Sequence, residues 1–369
     1  MLTSHGRHRY EELDSLRGVA AMTVVFWHAS NFFNPPLPEW WKLLLSSPVG
    51  IALSGPDAVY VFFVLSGFVL FLPHLREGGA DPYGKFLVKR VCRIYLPYLV
   101  ALGLAIAADL LFYRPGIHAM FPRWVNWPRP FSVSAVWLHI AFLWDARLDQ
   151  FNPAFWTLVY EMRLSILFPL IAWLAKRLRL GVGSAVGLAM CAAGFWLSDH
   201  VPVAFALADW KTLGYGGLFV LGALLARHLP QVRAGMEAIG GWGRAGVLAL
   251  AVFLFKATHL LPERLYQYWT LVPLHGSGAA LVVVLAMTTV HFRRMLHSAA
   301  LRWLGKVSYS LYLVHGVVLY SVVSLFWVRT RHHVPLMAAA MALAVAVSGP
   351  MYRWVERPAL LLGRRLTRG

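Results

Sequence analysis

Eleven residues separate Arg17 from His28 within the first apolar segment. On an α-helix that spacing turns the chain just over three times, so the two side chains share a face to within ~20° and stand ~16 Å apart. A guanidinium and an imidazole aligned in this way can hold an anion at one level and move a proton at another. Arg90 and Arg93 are three residues apart, so from a helix start both can point at one anion. Guanidinium forks match phosphate oxygens, although the neighbouring Lys85 and Lys89 read as ordinary membrane-surface anchors. Glu161 lies in Phe155-Trp156-Thr157-Leu158-Val159-Tyr160-Glu161-Met162-Arg163. Residues two apart on a helix do not face each other, so its partner is expected on another helix rather than at Arg163. His28 is the expected partner. Ser308, Tyr312 and His315, at i, i+4 and i+7, form one polar stripe that either bonds neighbouring helices or serves a site. Asp14, one turn before Arg17, either neutralises that arginine or joins the chemistry. In Ser66-Gly67 the small residues allow a helix or a slender ligand chain to approach the backbone closely.

These side chains sit in a chain that is 59% hydrophobic and 14% charged, with a mean hydropathy of +0.60. Apolar runs of 15 to 22 residues recur along its length, which predicts an all-α, polytopic transmembrane helical bundle in contact with the lipid bilayer. An intramembrane histidine and glutamate are costly there and point to function. The net charge of +18 is read as cytoplasmic loops facing anionic lipid, with no nucleic-acid partner expected. Cys92 and Cys191 are too few and too far apart to predict a disulfide framework or a metal site. The first apolar run is too long for a cleavable signal.

Candidate spans are 15–31, 57–73, 94–113, 156–175, 181–197, 212–228, 245–259, 269–290, 307–327 and 335–353. A further apolar stretch, 133–144, follows the Pro-rich Trp127-Pro128-Arg129-Pro130. If it does not cross, ten spans leave 23 Lys and Arg on the cytoplasmic side and 10 outside, with Arg163 within a span. If it crosses, the split becomes 14 against 19, opposing the positive-inside rule. About ten spans are therefore expected, with both termini cytoplasmic and 133–144 re-entrant or interfacial. Arg17 then lies at the cytoplasmic interface and His28 in the outer half of the bilayer. Glu161 falls a turn or so below the outer surface, near the depth of His28. A neutral imidazole at that depth is available as a base. Residues 1–369 are expected to form a single membrane-embedded domain.

Taken in order, these segments resemble the acyltransferase-3 family of bacterial integral-membrane O-acyltransferases. The resemblance rests on Leu13-Asp14-Ser15-Leu16-Arg17-Gly18 with His28, Phe62 to Phe68, and Arg90-Val91-Cys92-Arg93-Ile94-Tyr95. It continues through Trp156 to Glu161, Leu304 to His315, and Glu356-Arg357-Pro358, so it covers essentially the whole chain. Val159, two residues before the acid, departs from the small hydroxyl residue often seen there. The resemblance implies transfer of an acyl group, usually acetyl, from cytoplasmic acyl-CoA to a hydroxyl. Acceptors would be sugars of surface polysaccharides, lipid-linked glycans or small secreted metabolites such as antibiotics. It implies donor binding by Arg17, Arg90 and Arg93, and catalysis by His28 and Glu161. His28 would be a base or a transient acyl carrier. It also implies a bacterial inner-membrane location and the form without a soluble C-terminal domain. No permanently bound cofactor is expected, with acyl-CoA as co-substrate. Ten spans with intramembrane His and Glu also fit a proton-coupled transporter. Against that stands the lack of paired half-sequence symmetry.

Overall fold

The computed structural model describes residues 10–31, 43, 47, 50, 53–114, 133–143, 150–202, 209–256, 262, 265–330 and 332–368. They contain helices and no strands. In chain order the α-helices are α1 (Glu11–Ser30), α2 (Gly55–Phe71), α3 (Tyr83–Phe112), α4 (Val133–Ala141), α5 (Phe155–Ile166), α6 (Phe168–Arg177), α7 (Leu180–His200) and α8 (Lys211–Arg227). They continue with α9 (Leu229–Ala238), α10 (Gly240–Phe255), α11 (Tyr268–Thr288), α12 (Val290–Leu296), α13 (Ala299–Thr330), α14 (His333–Met351) and α15 (Arg357–Leu366).

Each of the ten expected segments falls on these helices or on a broken pair, except that 257–259 of the segment 245–259 lie outside the described residues. Among the described residues, six helices are long and apolar enough to cross a membrane, or up to eight if two bent pairs each count as one. The bent pairs are α5–α6, at 62°, and α8–α9, at 75°. Pro169 and Pro230 begin the second helix of each pair, where a missing N–H costs nothing but the incoming helix cannot run straight through. α1 carries Glu11, Glu12, Asp14, Arg17 and His28 and is not in that set, and α10 has only 16 residues. The stretch at 133–144 contributes α4, nine residues or ~14 Å of helix, under half the thickness of a bilayer core. It packs through Tyr98, whose hydroxyl donates to the His139 carbonyl at 3.0 Å.

α3 starts eleven residues before the apolar span read from the sequence. Lys and Arg are good helix formers, and hydropathy alone marks only the apolar part. Arg90 and Arg93 therefore sit two to three turns inside a helix rather than at its start.

α13 is the most enclosed span, and α1 lies along it. Small residues set how close they come. A Cβ on Gly18 would stand 2.5 Å from the Gly305 nitrogen, and a Cβ on Gly305 would strike the Asp14 carbonyl. The two backbones touch, as in small-residue membrane packing. That contact fixes the register of Arg17, one residue before Gly18, against Ser308, three residues after Gly305. Gly67 does the same for α2 against the backbone of Phe219 on α8. Close helix packing thus accounts for Gly67, while Ser66 beside it faces a cavity.

Candidate active site

With α1 and α13 in register, His28 and His315 meet. His28 Nδ1 lies 2.9 Å from His315 Nε2, and the rings stack 5.0 Å apart at 17°. The partners decide the tautomers. His315 Nδ1 lies 2.8 Å from the Tyr312 carbonyl and 3.3 Å from that of Leu311. A carbonyl only accepts, so Nδ1 of a neutral His315 carries the proton and Nε2 is the acceptor. His28 Nδ1 is then the donor of the pair, and the basic lone pair of His28 resides on Nε2.

A cavity runs from three arginines to the neighbourhood of this pair. Arg17, Arg90, Arg93 and Glu161 line one end, and Phe62, Thr157 and Tyr312 the other. Phe63, Val69, Leu70, Ile94 and Leu158 form apolar walls between them. The Tyr312 ring stands 5.8 Å from that of His315, so the histidine pair lies just beyond this second end.

At the arginine end the three cations are not equivalent. Arg90 is buried, donating from Nη2 to Glu161 Oε1 at 2.7 Å and from Nε to Ser165 Oγ at 2.9 Å. Ser165 in turn donates to the Glu161 carbonyl at 2.7 Å. Arg17 pairs with Asp14 at 3.5 Å, the neutralising role open to that acid. Ser308 donates to the Gly305 carbonyl of its own helix at 2.9 Å while still facing the cavity.

The expected meeting of Glu161 with His28 does not occur: Glu161 pairs with Arg90, and His28 with His315. The cause is the segment before α5. Phe151 and Asn152 are fully buried, and Asn152 Nδ2 donates to the Leu313 carbonyl at 2.7 Å. Gly316 leaves the room for this, since a Cβ there would strike the Asn152 side chain. α5 therefore begins inside the bundle, level with the middle of α13, and Glu161 lies deeper than a surface start would put it. Arg163 faces away from Glu161, reaching the Leu143 carbonyl at 2.7 Å and Asp209 at 3.6 Å.

Thr157, Ser165 and Asn152 also contribute to this region, and the first two share the Glu161 face by helical spacing. Thr157 precedes Glu161 by one helical turn, so the shared face was readable from spacing. Ser165 follows Glu161 by the same step. Asn152 has no such periodicity, because it precedes its helix. A second buried pair, Asp57 on α2 with His275 on α11, ties those helices together but does not line the cavity.

Residues 10–353 match a family described as an acyltransferase domain. Nodulation protein 10 of Rhizobium leguminosarum bv. viciae is 24% identical, over 98% of both chains. The exopolysaccharide production protein ExoZ of Rhizobium meliloti is 26% identical, over 85% of this chain and 93% of its own. The O-acetyltransferase PaAT-1 of Phomopsis amygdali is 25% identical, over 85% of this chain and 72% of its own. No solved structure matches. With the family match spanning nearly the whole helical bundle, the chain belongs to the acyltransferase-3 family and is a multi-pass membrane acyltransferase.

Proposed function

We propose that the protein moves an acyl group, acetyl in the first instance, from cytoplasmic acyl-CoA to a hydroxyl of a surface polysaccharide or lipid-linked glycan. The observation that carries this reading is the cavity itself, with guanidinium groups at one end and a hydrogen-bonded histidine pair just past the other. The name of ExoZ supports a polysaccharide acceptor, and that of PaAT-1 supports O-acetyl transfer. With both termini in the cytoplasm and α1 and α10 counted as spans, the arginine end opens inward. Arg93 and Arg17 would meet the donor phosphates. Arg90, held by Glu161 and Ser165, would act as the fixed wall that shapes their approach. In this reading Glu161 is a positioning residue for the donor site.

The pantetheine arm would extend along the apolar walls and present the thioester near Tyr312. His28 Nε2 takes the proton of the acceptor hydroxyl as its oxygen bonds to the acyl carbon. The C–S bond breaks with its electron pair on sulfur. The proton then passes from His28 to the thiolate or to solvent, leaving an ester and free CoA thiol. If His28 attacks first, an acyl-imidazole forms and transfer follows in a second step. Parallel lines in double-reciprocal plots would assign that second route. Intersecting lines would assign direct attack within a ternary complex.

The test uses inverted membrane vesicles from the native host, whose exposed face is cytoplasmic, supplied with acetyl-labelled acetyl-CoA. Label is expected in membrane-associated or lumenal glycan, with release of one free thiol per acetyl moved. Solute uptake without consumption of thioester would instead identify a carrier.

A further inference from the structure

A developing oxyanion on the acyl carbonyl needs a hydrogen-bond donor aimed into the reaction end of the cavity. Hydroxyl groups lining the cavity can be sorted by where their protons go. Ser308 donates to the Gly305 carbonyl, and Tyr309 to the Ile94 carbonyl at 2.8 Å. Both protons are committed to groups that only accept. Ser66 lies one helical turn from Phe62 towards the arginine end, away from the histidines. That leaves Thr157 and Tyr312, whose oxygens are 2.8 Å apart. Thr157 Oγ1 also stands 2.9 Å from the Ala154 carbonyl, the ordinary back-bond of a helical threonine.

This pair has two proton arrangements. In one, Tyr312 donates to Thr157, and Thr157 to the Ala154 carbonyl. In the other, Thr157 turns its proton to the Tyr312 oxygen, and the Tyr312 proton is released towards the cavity. The exchange costs one helix back-bond and moves no heavy atom. Tyr312 is held for it by its ring, packed edge-on against Phe62 at 5.5 Å and beside His315 at 5.8 Å.

We infer that Tyr312 is a catalytic residue that donates its phenolic proton in a hydrogen bond to the acyl carbonyl oxygen during attack, and that Thr157 is the positioning residue that switches it. No proton is transferred by Tyr312. The O–H bond stays intact and only its direction changes, while His28 handles the hydroxyl proton. This inference rests on the reading of the cavity as the donor site.

Tyr312→Phe removes the hydroxyl and keeps the ring. In the vesicle assay it is expected to lower kcat by about 100-fold or more. The acetyl-CoA concentration needed for half-maximal thermal stabilisation should stay within about twofold, since the bond forms only in the transition state. Thr157→Ser should retain near-normal turnover, while Thr157→Val should lose part of it through kcat rather than KM. A Tyr312→Phe protein that turns over normally, while His28→Ala in the same assay does not, overturns the inference and leaves the site reading intact. So does a Tyr312→Phe loss expressed wholly as weaker acetyl-CoA binding. If both variants turn over normally, the site reading falls and Tyr312 falls with it.

Discussion

His28→Ala is expected to lower acetyl transfer in the vesicle assay by about 100-fold or more, the scale of a missing general base. The melting profile should stay close to that of the parent. His28 is only partly buried and sits in the last turn of α1, where a smaller side chain leaves the helix register to the Gly18–Gly305 contact. The partner sharpens the expectation. His315 is fully buried, and its Nδ1 is fixed by the Tyr312 carbonyl, so it presents an acceptor to His28 and dictates which nitrogen of His28 is basic. His315→Asn should therefore give an intermediate loss of turnover with acetyl-CoA binding unchanged. Glu161→Gln should not mimic His28→Ala, because Glu161 contacts Arg90 and not the imidazole.

The second large effect is on stability. Arg90→Ala or Glu161→Ala strands the other charge in a site where Arg90 has 9% and Glu161 23% of the side chain exposed. Breaking one half of a buried pair costs about 3–5 kcal/mol, whereas replacing both halves with apolar groups of similar size is often neutral. The single variants should melt well below the parent, and Arg90→Met/Glu161→Leu should recover much of the loss, by thermal unfolding in detergent. Equal, additive effects in the cycle would mean the pair does not act as a unit. Arg93→Ala is expected to behave differently. It should keep its melting temperature in the absence of donor and weaken acetyl-CoA binding by about tenfold or more, the value of one charge-assisted hydrogen bond.

The helical membrane class was legible from the recurring apolar runs, and helical spacing alone showed which candidate side chains share a face. Arg17 and His28 share a face by spacing, and Ser308, Tyr312 and His315 form a stripe by the same rule. What spacing within one helix cannot show is depth between helices. Glu161 was misplaced for that reason: its level depends on Asn152 docking into α13, a contact between residues 161 apart in sequence. Arg90 and Arg93 line one cavity, as their spacing suggests, yet the bonds that set Arg90 apart come from Ser165 and Glu161 on α5. The bond between His28 and His315 spans 287 residues and depends on two glycines allowing α1 and α13 to touch. The bends at Pro169 and Pro230 were also outside reach, because hydropathy averages over a span and does not register direction.

The donor claim can be tested without knowing the acceptor. Detergent-purified protein is melted at rising acetyl-CoA, alongside Arg17→Ala/Arg93→Ala. A ligand at a hundredfold over its dissociation constant adds about 2.7 kcal/mol of apparent stability. The expected result is a saturable upward shift that the double variant loses while remaining folded. Folded parent protein that shows no shift with acetyl-CoA or longer acyl-CoAs would contradict it.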